Sequence, residues 1–252
     1  MTVLCVLPAR LGSERIPRKP LQIVAGRPLV EWSWRAASAV TGVDRVVVAT
    51  DSDEIAAVVD GFGGEVSRTR ADHPSGTDRV AEAARGSGAE IVVNFQADEP
   101  FLAPEAVEAA IDAVKGGREI ATLATPVDGE EQWRSSAVVK VARAADGRAL
   151  YFSRAPIPHT RSGAADPALR LRHVGLYVYT ASALERWVAL PPSPLERAER
   201  LEQLRALEAG MEIQVCIVAP GEPGVDVPED IARADRLLRA RMNAQEKRES
   251  HV

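Results

Sequence analysis

The chain has 252 residues, 46% of them hydrophobic and 27% charged, enough for a real core in one large domain or two small ones. Its net charge of −5 argues against bulk attraction to nucleic acid or to an anionic membrane surface. No apolar run approaches the roughly eighteen residues of a membrane span, and the N-terminal apolar stretch stops at Leu7 with no basic segment ahead of it, so no signal peptide is expected and a cytoplasmic setting is.

Residues 3–7 (VLCVL) read as a buried first strand, and Cys5 within it as an inert thiol. The loop that follows, LPARLGSERIPRKPL, sets Arg10, Arg15, Arg18 and Lys19 close together, with Gly12 and Ser13 at the turn and Pro17 and Pro20 stiffening the exit. A cationic loop leaving a buried strand suits a phosphate chain, with arginine supplying planar forks and lysine a point charge. On an acidic protein the local charge favours a small anionic ligand.

Pro28 opens a helical stretch in which Leu29, Trp32 and Ala36 recur at helical spacing. Residues 45–50 (RVVVAT) form a continuous apolar strand, and Asp51 with Glu54 is patterned as the cap of the next helix. A short strand at 64–67, the loop RTRADHPSGTDR, a helix at 77–85 capped near Ser75, and a strand at 90–94 follow. A helix over 104–115 and an extended run over 120–125 complete a strand–helix alternation with short connections. That rhythm is the mark of a doubly wound α/β layer.

The rhythm changes near residue 127. Runs 138–142 and 149–153 are patterned as a hairpin across Asp146 and Gly147, and 171–180 (LRHVGLYVYT) alternates as a strand. One long charged helix is expected over 195–209, a last strand over 212–218 with Cys216 inside it, and a last helix over 228–242 before a frayed tail. No linker divides the chain. It reads as one domain in three parts: a first half to about 126, a second over about 127–218, and a loop with a C-terminal helix over 219–242. The second half is expected as an inserted hairpin or lid on one mixed, mostly parallel sheet.

In open α/β sheets ligands sit beyond the carboxyl ends of the strands. Three segments fall there: the basic loop, RADHPSGTDR with its small donors Ser75, Gly76 and Thr77, and QADEP. Asp98 in QADEP is too far ahead of Pro104 to cap that helix, and a carboxylate facing a phosphate loop is a magnesium ligand candidate. In GVDVPED, Glu229 and Asp230 suit the first turn of a helix, which leaves Asp226 as the ligand candidate. Arg154, His173, Tyr177, Tyr179, Glu202, Gln203 and Arg205 together suggest a polyhydroxylated acidic substrate, with arginine for a carboxylate and the others for hydroxyls.

The stretches PARLGSERIPRKPL, VVVATDSDEI, RTRADHPSGTDR, VNFQADEPF, ALYFSRAPIP, RHVGLYVYT, PPSPLERAERLEQLRALEAG and PGVDVPEDI occur in colinear order. Through them the chain resembles the 3-deoxy-manno-octulosonate cytidylyltransferase (CMP-Kdo synthetase) family over essentially its whole length. The resemblance implies a mononucleotide-binding fold of the nucleotide-diphospho-sugar transferase kind, a homodimer with the hairpin in its contact, and a magnesium-dependent reaction. That reaction joins CTP to 3-deoxy-manno-octulosonate (Kdo), giving CMP-Kdo and pyrophosphate.

Carried over residue by residue, Arg10, Ser13, Arg15 and Lys19 would hold the CTP phosphates, with Lys19, Arg10 and Asp98 the catalytic set. Arg70, Ser75 and Gly76 would frame the cytosine end, and Gln96 would lie near nucleotide and sugar. Asp98 and Asp226 would hold magnesium, and Arg154, His173, Tyr177, Glu202 and Gln203 would line the sugar pocket. The chain departs from the family pattern at Ala97 and Arg18, where glycine is usual. Two alternatives stand beside this reading: a cytidylyltransferase for another ulosonic acid, and a non-catalytic nucleotide sensor.

Overall fold

Continuous apolar runs become the strands of one sheet covered on both faces, as buried parallel strands require. The computed structural model describes residues 1–13, 15–161 and 166–249. β1 (Val3–Pro8) leads through the basic loop and a two-stranded ribbon, β2 (Ile23–Val24) and β3 (Arg27–Pro28), into α1 (Leu29–Ser38). Next come β4 (Arg45–Thr50), α2 (Asp53–Gly61), β5 (Glu65–Arg68), α3 (Gly76–Ala84), β6 (Ile91–Asn94), α4 (Pro104–Lys115) and β7 (Ile120–Pro126). The second half adds α5 (Gly129–Arg134), the hairpin β8 (Lys140–Arg143) and β9 (Ala149–Ser153), β10 (Leu171–Thr180), α6 (Ala181–Ala189), α7 (Pro194–Glu199), α8 (Gln203–Glu208), β11 (Gln214–Ile217) and α9 (Pro228–Glu249).

The main sheet runs β11-β7-β10-β6-β1-β4-β5, with β8 and β9 branching from β10. Four of the six pairings along that path are parallel, which makes it a mixed, mostly parallel α/β sheet. β1 lies between β4 and β6 and parallel to both, so their carboxyl ends open along one edge. β10 runs antiparallel between β6 and β7. β10 and β11 of the second half are therefore woven into the sheet, and the β8–β9 hairpin branches from it. Its register sets Tyr177 opposite Asn94, two residues before Gln96.

Two buried clusters cover the two faces of the sheet. One gathers Leu4, Val6, Val92, Phe152, Tyr179 and Trp187; the other gathers Cys5, Leu7, Val48, Val93 and Ile111. A smaller third cluster, with Ile16, Val24, Leu29, Phe101, Val225 and Leu238, ties the basic loop to the start of α4 and to α9. The hairpin is anchored by Lys140, which is fully buried. Its three ammonium protons go to the carbonyls of Ser135, Val138 and Arg154 at 2.8, 2.6 and 2.5 Å, and burial lowers its pKa.

Three local expectations change. The cap of α2 is Ser52, whose Oγ accepts from the Ile55 amide at 3.3 Å; Asp51 instead pairs with Arg79. The single helix expected over 195–209 is two short ones, broken where Arg200 takes the left-handed conformation at φ 52° and ψ 48°. α9 continues through the stretch expected to fray, to residue 249.

Candidate active site

A cleft of about 840 Å³ opens beyond the carboxyl ends of β1 and β6. Arg10, Ser13, Arg15 and Lys19 line it from the basic loop, Ser75 and Gly76 from the start of α3, and Gln96 and Asp98 from the loop after β6. In its lining the Lys19 ammonium, largely buried, forms ion pairs with Asp98, which lines the cleft too, and with the more exposed Asp226, which lines an adjoining hollow shared with Asp98. The Asp226 distance is 3.3 Å, and Arg15 reaches the same Asp226 oxygen at 3.3 Å. Two carboxylates more than a hundred residues apart in sequence thus share one cation.

Apolar pegs between the charged residues make this convergence. Ile16 sits among the basic residues, Phe101 follows Asp98, and Val225 precedes Asp226; all three are buried in the third cluster. The Asp226 loop then lies hard against the QADEP loop. The Val225 amide donates to the Asp98 carbonyl at 2.9 Å, and a Cβ at Gly224 would stand 2.8 Å from that carbonyl and 2.8 Å from Glu99 Cδ. From behind, Arg233 holds the Pro223 and Gly224 carbonyls at 3.0 and 2.7 Å, and Asp230 accepts the amides of Asp226 and Val227.

Burial, reinforced by the charges of Asp98 and Asp226, pushes Glu99 up to about 8, with Arg172 and Lys19 acting the other way. Among the described residues no group of three or more His, Cys, Asp or Glu forms a metal cage. Two converging carboxylates beside a basic loop fit magnesium, which takes one or two carboxylates and completes its shell with substrate phosphates and water.

Beside this cleft lies a smaller hollow of about 240 Å³, lined by His173, Tyr177, Glu202 and Gln203 and sharing Gly76 and Gln96 with it. Glu202 receives Ser75 Oγ and Thr77 Oγ1 at 3.2 Å each and Trp187 Nε1 at 3.3 Å. Burial pushes its carboxyl upward, while Arg205 and these donors oppose the shift. His173 lies 2.9 Å from Thr122 Oγ1, and burial pulls it down to about 3, so it is a neutral ring. The Tyr177 hydroxyl is buried and makes no well-formed hydrogen bond within the chain, and its ring stacks on Tyr179.

Two expected site residues are placed differently. The Arg154 guanidinium is spent on the carbonyls of Glu199 and Ser136 at 2.9 and 3.1 Å, and it lines neither hollow. The exposed Arg70 side chain pairs with Asp72 outside the cleft lining, while the Arg70 amide anchors the loop to Glu82 at 3.0 Å. Arg205 is likewise engaged, gripping Glu196 with two bonds of 2.9 and 2.6 Å.

Three lining residues escaped the sequence reading. Arg79 projects into the cleft from α3, buried, and is held by Asp51 at 2.9 Å and Thr69 Oγ1 at 2.5 Å. His73 lines the cleft with its ring against Glu82, and Arg200 lines it from the turn between α7 and α8. Arg79 stands four residues after Ser75, one turn along a helix capped at the cleft, and that spacing was the available signal.

The family model described as cytidylyltransferase matches residues 4–213. A 3-deoxy-manno-octulosonate cytidylyltransferase of Anaeromyxobacter sp. (strain K) is 50% identical over 240 residues, covering 94% of this chain and 98% of its own. The chain belongs to the 3-deoxy-manno-octulosonate cytidylyltransferase family. A relative of the same description from Syntrophobacter fumaroxidans is 48% identical over 236 residues, covering 92% of this chain and 94% of its own.

Among solved structures, CMP:2-keto-3-deoxy-manno-octonic acid synthetase complexed with CTP superposes with a TM-score of 0.90 at 38% identity, over 96% of this chain and 100% of that one. A 4-diphosphocytidyl-2C-methyl-D-erythritol synthase from Anaerococcus prevotii superposes at 0.63 with 17% identity, over 94% and 96%, and shares the fold.

This cytidylyltransferase accommodates both departures from the family pattern. Ala97 is buried in the second cluster, and its carbonyl accepts from Ser33 Oγ at 2.9 Å; its φ is not left-handed, so the methyl adds no strain there. Arg18 does occupy a left-handed position, φ 55°, at a cost of about 1–2 kcal/mol, and its side chain pairs with Glu54 rather than entering the cleft. Among the described residues no helix is long and apolar enough to cross a membrane.

Proposed function

We propose that this chain transfers the cytidylyl group of CTP to Kdo, giving CMP-Kdo and pyrophosphate. The anomeric hydroxyl oxygen attacks the α-phosphorus in line, the bond to the pyrophosphate oxygen breaks, and the hydroxyl proton leaves to solvent. The observation that carries this reading is the Lys19 ammonium, in the lining of a basic cleft, shared by Asp98 and Asp226.

Arg10, Ser13, Arg15 and Lys19 hold the triphosphate and offset the charge that grows on the leaving group. Gln96 stands where the two hollows meet. Ser75 and Gly76 bound the base end, and Tyr177, His173, Glu202 and Gln203 receive the sugar. Asp98 and Asp226 would hold magnesium, which would supply positive charge to the phosphates. Little covalent work remains for the protein, so positioning dominates. The working form we propose is a cytoplasmic homodimer to which the β8–β9 hairpin contributes; Leu150 on β9 is left 52% exposed in the single chain, and light scattering checks the assembly.

The test is pyrophosphate release from CTP across a panel of ulosonic acids. Release dependent on Kdo supports the proposal. Release with a different ulosonic acid alone moves the assignment to that sugar, and CTP binding without release from any acid leaves a nucleotide sensor.

A further inference from the structure

The cleft holds several cations, and most are already engaged. Lys19 and Arg15 pair with the two aspartates, and Arg79 is held by Asp51 and Thr69. Among the described residues, Arg10 and Arg200 line the cleft with side chains that make neither a hydrogen bond nor an ion pair. Arg10 belongs to the phosphate loop. Arg200 comes from the other half of the chain, and nothing in the reaction as derived above uses it.

Its position is specific. Arg200 lines the nucleotide cleft, while Leu201, Glu202 and Gln203, which follow it directly, line the smaller hollow. The turn between α7 and α8 therefore crosses the seam between the two sites. The residue is held there by a left-handed backbone whose amide donates to the Glu196 carbonyl, closing α7. A non-glycine residue at φ 52° costs stability, and glycine would fill the turn without that cost. An exposed arginine that lines a cleft and has no protein partner has its donors available for a ligand.

We propose that the Arg200 guanidinium contacts an oxyanion at the junction of the two substrates. This rests on the reaction proposed above, which makes a bond across that seam. Two oxyanions meet there: the non-bridging oxygens of the CTP α-phosphate, and the carboxylate borne by the anomeric carbon of the sugar acid. Both offer the paired acceptors that a guanidinium fork matches.

The experiment compares the full-length protein with Arg200→Met, Arg200→Lys and Arg200→Gly. CTP affinity is measured by calorimetry, and KM for CTP and for Kdo by pyrophosphate release. Loss of a charge-assisted contact is expected to weaken one substrate by about tenfold or more in Arg200→Met and Arg200→Gly, with Arg200→Lys in between. Weakening of Kdo alone assigns the carboxylate, and weakening of CTP, with or without a fall in kcat, assigns the α-phosphate. Thermal midpoints at or above the parent's in Arg200→Gly separate this loss from misfolding, because that variant also relieves the turn.

Substrate constants and kcat all within twofold of the parent in both Met and Gly variants overturn the proposal. If the parent binds CTP but releases no pyrophosphate with any acid, the reaction reading fails by itself. In that case CTP affinity decides for Arg200: a tenfold loss supports the contact, and unchanged affinity overturns it.

Discussion

Charged side chains do their work here in shared sets. Lys19 faces two carboxylates, so replacing Asp98 by asparagine keeps the shape but removes one of the charges that converge on its ammonium. Asp98→Asn is expected to lower turnover by about a hundredfold or more at saturating magnesium, with an unchanged thermal midpoint. Near-parental turnover in the pyrophosphate assay would remove Asp98 from the site. His173 gives a prediction in pH. Burial holds its ring neutral down to about 3, whereas in the unfolded chain it takes a proton near 6.5. The unfolded state therefore binds the extra proton as pH falls between those values, and stability declines through that window. Urea titrations at pH 7 and pH 5 should show a smaller loss on acidification in His173→Asn than in the parent. At this scale the sequence was most legible where charge follows a strand, as with Arg10, Lys19 and Asp98. It was least legible for Arg154, because residue type does not reveal that two backbone carbonyls will claim a guanidinium.

Loops are aligned by what lies between their charges. Ile16, Phe101 and Val225 gather the basic loop, the QADEP loop and the Asp226 loop onto α9, and none of the three stands out in an apolar pattern. Ile16→Ala should cost roughly 2 kcal/mol of stability and raise KM for CTP, since the cavity forms under the phosphate loop. Denaturant midpoints and kinetics check the two effects together. Gly224 makes a complementary case. A methyl there meets the Asp98 carbonyl and the Glu99 carboxyl at 2.8 Å, so Gly224→Ala should push the Asp226 loop outward. The expected result is a several-fold rise in the magnesium concentration needed for half-maximal rate, with the fold intact by circular dichroism. An unchanged magnesium requirement would mean that Asp226 acts independently of this contact. Helix ends were less legible than helix existence. Charged and apolar residues alternate in one helix-like pattern from Leu195 to Glu208, and no glycine or proline marks the break that Arg200 makes.

Across the whole molecule, the strand–helix alternation in the first half was enough to give the α/β class and the sheet edge on which the candidate site opens. The place of β10 was not legible, because strand pairing joins residues far apart in the chain and the period of a strand does not name its neighbours. That pairing is what merges the two halves: Tyr177 comes to lie beside Asn94, and the smaller hollow shares Gln96 with the cleft. Trp187 locks the arrangement, packing edge-on against Tyr177 and Tyr179 while donating to Glu202. Trp187→Ala should destabilise the chain by about 3–5 kcal/mol and weaken the sugar more than the nucleotide, which denaturation and separate KM values would test. The account as a whole stands on Lys19, Asp98 and Asp226 acting on one triphosphate. A crystal structure of the protein soaked with CTP and magnesium tests that directly. The phosphates should lie on Lys19 and the basic loop with a metal ion bound by both Asp98 and Asp226; a triphosphate elsewhere, or a metal held without either aspartate, would contradict it.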